Sequence, residues 1–169
     1  MLFKYMEGPR FDGLYDDVFP TGVYSREAIV DQNYTSGALT GLVVFAGPAT
    51  INNNGSIPIS VDADNFTFRN NASYKATYQI SYTVTWNPLT QNQGIKQAWI
   101  SKNLQFNDRY GITSIHQASN VAQVLTTSAT LVLAPNETFG IRVYQNTGSI
   151  TSIDGSSQDR CKIQITQIK

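Results

Sequence analysis

A chain of 169 residues, 41% of them hydrophobic, is long enough to bury the core of one ordinary domain. Only 14% of its residues are charged, and 12 Lys plus Arg balance 12 Asp plus Glu, so the polar surface must come from Asn, Gln, Ser and Thr. The balance argues against a nucleic-acid partner, which needs clustered cations, and no run approaches the ~20 apolar residues of a membrane-spanning helix.

Residues 1–36 keep no period of 2 or 3.6 and are broken by Gly8, Pro9, Gly13, Pro20 and Gly22. The opening MLFKYMEGPRF has charges and a Gly-Pro break where a secretion leader would have its apolar run, so no cleavable leader is expected. Aromatics nevertheless recur at Phe3, Tyr5, Phe11, Tyr15, Phe19 and Tyr24, and a disordered tail is poor in such residues. The expectation is an extended N-terminal arm whose aromatics anchor it to a neighbour or a larger surface, followed by a domain over residues 37–169.

From Gly37 onward, short alternating runs are separated by turn residues. Residues 38–46 read as a strand stopped by Gly47-Pro48. Ile57, Ile59 and Val61 form a second run, which Pro58 places at a sheet edge. Phe66 and Phe68 sit on a short strand before Asn70-Asn71. Residues 74–86, YKATYQISYTVTW, alternate without interruption, with Tyr, Ile, Val and Trp on one face and Thr, Gln and Ser on the other. Residues 97–102 carry Trp99 on another strand, and residues 106–120 read as a polar loop. Residues 121–133 place Ala129, Leu131 and Leu133 on one face. The turn at residues 134–137 leads into a strand over 138–146, a polar loop over 148–157 and a closing strand over 160–168. Turn residues at this spacing, without helical periodicity, indicate an all-β sandwich or barrel.

Three segments carry a family resemblance: NNASYKATYQISYTVTW, TLVLAPNETFGIRVYQNTG and CKIQITQIK. They are similar to the anchored aromatic strand, the strand–turn–strand unit and the C-terminal closing strand of the jelly roll shared by tumour necrosis factor and the globular heads of complement-type proteins. The resemblance covers roughly residues 38–169. It implies a single jelly-roll sandwich of two antiparallel sheets, assembled as a homotrimer. The residues agree with an assembly: Tyr144 falls opposite Phe139, Ile141 and Val143, and Ile168 breaks the alternation of Ile163 and Ile165. Apolar groups on an outward face mark interfaces. Gln79, Ser81 and Thr83, together with Tyr144 and Ile168, are therefore the expected trimer interface.

Catalytic chemistry has little to work with. His116 is the only histidine, which excludes a multi-histidine metal site, and no nucleophile-elbow sequence occurs. His116 reads as a surface loop residue and Cys161 as a buried thiol. Asp62 and Asp64 lack the Gly and distal Glu of a calcium loop and read as a solvated turn. No enzyme and no cofactor are expected. Jelly rolls of this kind resemble decoration, fibre or minor capsid proteins. The expectation is therefore a structural protein of a virus particle, anchored by its arm to other capsid or fibre proteins. The alternative is a glycan- or receptor-binding trimer that uses the polar loops.

Overall fold

The computed structural model describes residues 22–37, 41–52, 57–88, 94–116, 121–156 and 160–168. Among these there are thirteen strands and no helix. The first sheet is organised on β7 (Ala76–Trp86). β10 (Gln123–Leu133) pairs along one side of it, and β13 (Lys162–Gln167) and the short β12 (Thr151–Ile153) pair along the other. β1 (Val23–Glu27) adds to β13, β4 (Thr50–Asn52) to β1, and β2 (Gln32–Tyr34) to β12. The second sheet runs β5 (Ile59–Val61), β6 (Phe68–Asn70), β11 (Thr138–Gln145), β8 (Ile95–Lys102), β9 (Arg109–His116), with β3 (Gly41–Leu42) also on β11. Every pairing is antiparallel. The expected sandwich of two antiparallel sheets is the fold.

Alternation fills the space between the sheets. Tyr78, Ile80, Tyr82, Val84 and Trp86 point inward from β7, Ile163 and Ile165 from β13, and Leu125, Leu131 and Leu133 from β10. They meet Phe68, Ala98, Ile100, Phe139, Ile141 and Val143 of the second sheet. Phe68 sits at the centre of an aromatic cluster: it stacks on Phe139 at 5.1 Å and receives the edges of Phe45 at 5.9 Å and Tyr24 at 6.4 Å.

Asn70 is the polar counterpart of this cluster and is fully buried. Its Nδ2 donates to the carbonyls of Leu133 (3.0 Å) and Ala134 (3.1 Å), and its Oδ1 accepts from the Ala72 amide (3.0 Å) and the Tyr78 hydroxyl (2.7 Å). One side chain thus ties β6, β7 and the turn after β10.

Several expected boundaries move, each for a local reason. Residues 22–34 are not an arm, because β1 and β2 are integral strands. Tyr24, expected among the arm's anchors, is a core residue at 6% exposure. These strands are too short, at five and three residues, to show a period. Regular pairing over residues 41–46 is confined to β3, although Val43 and Phe45 still enter the core. Tyr74 lies outside β7 and is half exposed. Residues 109–116, expected in a loop, are β9, and His116 is its exposed last residue. Gly111, at φ +53°, and Ile112 together lie opposite Trp99 in a bulge, which shifts the inward set from Tyr110 to Thr113 and Ile115. That slip hides the two-residue period. The polar stretch after Gly148 likewise contains β12.

Burial has a consequence at alkaline pH. Cys161 is fully buried beside Thr85, and burial pushes its thiol up to about 12. Burial also raises the phenols of Tyr34, Tyr78 and Tyr82. Unfolding lets these groups ionise at their ordinary values, so stability present below about pH 9 is lost as pH rises through 9 to 12. Melting temperature is expected to hold to about pH 8.5 and then fall steeply. A melting curve unchanged at pH 11 would contradict this burial.

Candidate interaction face

The side chains that β7 turns away from the core, Thr77, Gln79, Ser81 and Thr83, lie in register with outward residues of its neighbours. Ser81 stands between Ser128 of β10 and Gln164 of β13, with Ser25 of β1 beyond. Gln79 stands between Thr130 and Thr166, with Val23 beyond. Two rows across four strands therefore carry no charge. Their polar groups satisfy one another in part: the Thr130 hydroxyl donates to Gln79 Oε1 at 2.8 Å, and the hydroxyls of Thr83 and Thr126 meet at 3.1 Å.

The rim is apolar or ion-paired. Val132 and Ile168 flank Thr77 at one end, both exposed, and Val124 is exposed at the other. Beside Thr83, Glu27 lies 3.5 Å from both Arg160 Nε and Lys162 Nζ. These are half-exposed pairs of small energetic weight. A shallow groove of about 430 Å³ runs along β1 and β13 there, between Ser25, Thr50, Lys162 and Gln164.

This arrangement suits protein contact better than catalysis. A flat sheet face without ions can be covered at low desolvation cost, because hydroxyls already hydrogen-bonded across strands lose little when water leaves. Among the described residues, no group of three or more His, Cys, Asp or Glu is placed to hold a metal ion. Asp62 pairs with Arg69, and Asp64 accepts from the amides of Phe66 and Thr67 at 2.9 Å, as expected of a turn.

Of the expected interface residues, Gln79, Ser81, Thr83 and Ile168 share this face. Tyr144 does not: it projects from β11 on the second sheet, beside Gln97. Its outward direction is as expected, but the sequence pattern does not specify which sheet a strand joins. Phe3, Tyr5, Phe11, Tyr15 and Phe19 lie outside the described residues. The β10 and β13 portions of the face were not among the expected residues, although the alternation of Thr126, Ser128 and Thr130 with Leu125, Leu131 and Leu133 contained the signal.

No family model matches the sequence, and no curated protein matches it. Among solved structures, murine APRIL at pH 5.0 superposes with a TM-score of 0.61 at 9% identity, over 87% of this chain and 98% of that one. Murine APRIL at pH 8.0 gives 0.57 at 8% identity over the same shares. The likeness is one of fold, the tumour-necrosis-factor type of jelly roll.

Proposed function

We propose that this chain is a structural protein of a virus particle. It is a homotrimer of jelly rolls whose N-terminal segment fixes it to other capsid or fibre proteins. The observation that carries the assembly is the outer face of the first sheet, where the rows of Gln79 and Ser81 span four strands without an ion and charges stand at the Thr83 end. The jelly-roll fold, the charge-poor composition and the aromatic segment before residue 22 support the rest. A glycan or receptor would be met at the loops, of which residues 89–93, 117–120 and 157–159 lie outside the described residues; the fold likeness to APRIL is compatible with that second reading.

Light scattering at about 10 μM is expected to give a mass near three copies of the 18.7 kDa chain. Ser81→Arg with Ser128→Arg would put like charges opposite each other at the centre of the face, and a single-copy mass is then expected. A wild-type monomer would remove the trimer. The virion role is tested separately, by whether residues 1–21 are needed for incorporation into particles.

A further inference from the structure

The outer face of the second sheet carries an arginine held without a counter-ion. Trp99 projects outward from β8 yet is fully buried, because residues 103–108 fold over it. Asn103 and Leu104 start that loop with φ of +48° and +56°, a conformation a leucine adopts only under constraint from its surroundings. The loop brings Phe106 edge-on to Trp99 at 5.9 Å. The Arg109 guanidinium carbon lies 4.6 Å from the centre of the Trp99 ring and 4.2 Å from that of Phe106. Its Nε donates to the Phe106 carbonyl at 2.9 Å. Its terminal nitrogens have no hydrogen bond or ion pair with the described residues. The buried Trp99 indole N–H also has no partner. Nearby carboxylates are engaged elsewhere: Asp108 with the Tyr110 hydroxyl, and Glu137 with Lys102 at 2.8 Å.

A guanidinium held within 4.6 Å of the centres of two rings, its terminal nitrogens bonded to none of the described residues, is preorganised for a carboxylate. Phe106 and Ile112, both partly exposed, add apolar surface beside it. The chain contains a segment of matching character outside the described residues: 11–19, FDGLYDDVF, with three aspartates, no cation and three aromatics. We propose that the Arg109 cage is the docking point for this segment from a second copy of the chain, with the Asp16-Asp17 pair on the guanidinium.

Distance favours a second copy over the same one. Six residue steps lead from Asp17 to Val23 and span at most roughly 20 Å. β1 lies three strands from β10 in the first sheet, and the cage is on the outer side of the other sheet. At about 4.8 Å per strand and 10 Å between sheets, the straight line through the sandwich is about 17 Å, and a chain that cannot pass through the core has to follow a longer path round it.

The proposal gives the N-terminal segment a contact between copies of the chain, in addition to the anchoring to other proteins on which the proposed function rests. Full-length chains carrying Leu14→Cys are mixed, unfolded and refolded with full-length chains carrying Ile112→Cys, then oxidised. Cys161 is buried and does not compete. A disulfide-linked product of twice the chain mass is expected. Its yield should fall at least tenfold when Asp16→Asn and Asp17→Asn are added to the first chain, or Arg109→Gln to the second. The aspartate pair is in none of the described strands, so that arm decides the matter even if Arg109→Gln impairs folding. No linked product, a yield indifferent to the aspartates, or a doubly substituted chain that closes only on itself would overturn the proposal. Particle incorporation that is unaffected by loss of residues 1–21 would remove the anchor reading. A missing crosslink alone leaves that reading standing.

Discussion

A chain that begins at residue 37 is expected to lose its cooperative thermal transition, whereas one that begins at Gly22 keeps it. β1 lies between β13 and β4, so its loss strips both of a partner. Tyr24 leaves the Phe68 cluster and Ala28 leaves the core. Gln32 goes too, and its side-chain amide stands in for a strand by pairing with both the carbonyl (2.7 Å) and the amide (2.8 Å) of Val44. So does Asp31, which holds the Gly155 amide at 3.0 Å, and Tyr34, whose ring meets Trp86 edge-on at 5.9 Å. Removing one buried aromatic costs about 3–5 kcal/mol, and a whole domain is stable by only about 5–15 kcal/mol. Circular dichroism melts of the two truncated chains distinguish these outcomes. A sharp transition for the chain starting at 37 would show that β1 and β2 are ornaments of the sheet. The same boundary governs tests of anchoring: removal of residues 1–21 interrogates the segment, while removal through residue 36 damages the domain.

Asn70→Ala is expected to be the most damaging single polar substitution, lowering stability by about 3–5 kcal/mol. Five groups lose a bond at once: the Ala72 amide, the Tyr78 hydroxyl and the carbonyls of Tyr74, Leu133 and Ala134, the last of which keeps the Glu137 amide. Each buried group left unsatisfied costs about 1–3 kcal/mol, and no water reaches a side chain with zero exposure. For a domain of this size that loss corresponds to a fall in melting temperature of about 10 °C. Tyr78→Phe removes only one of these bonds and is expected to cost about 1 kcal/mol. Similar losses from the two variants in urea titrations would mean that Asn70 is not the organising group.

The long strands were legible because a packed face and a wet face impose a period of two over eleven residues in β7 and β10. β9 was not, because the bulge at Gly111 moves its inward set by one position. β1 and β2 were hidden for another reason: their partners, β13 and β12, lie more than a hundred residues away, and no local pattern encodes a distant pairing. The candidate face was half legible. Gln79, Ser81 and Thr83 follow from the alternation of β7, but only the topology shows that Ile168 adjoins them and that Tyr144 belongs to the other sheet. The Arg109 cage could not be read at all, since Trp99 and Arg109 meet only through the left-handed turn at Asn103-Leu104.

Val23 is the register partner of Thr166, so β1 waits for a strand more than a hundred residues further along the chain. Until β13 is available, β1 and β7 each present an open edge to solvent, and contacts this distant in sequence place the chain among slow folders of the all-β class. The first sheet therefore closes only once β13 has been made. A chain cut just before Lys162 would have two unpaired strand edges and would be prone to aggregation.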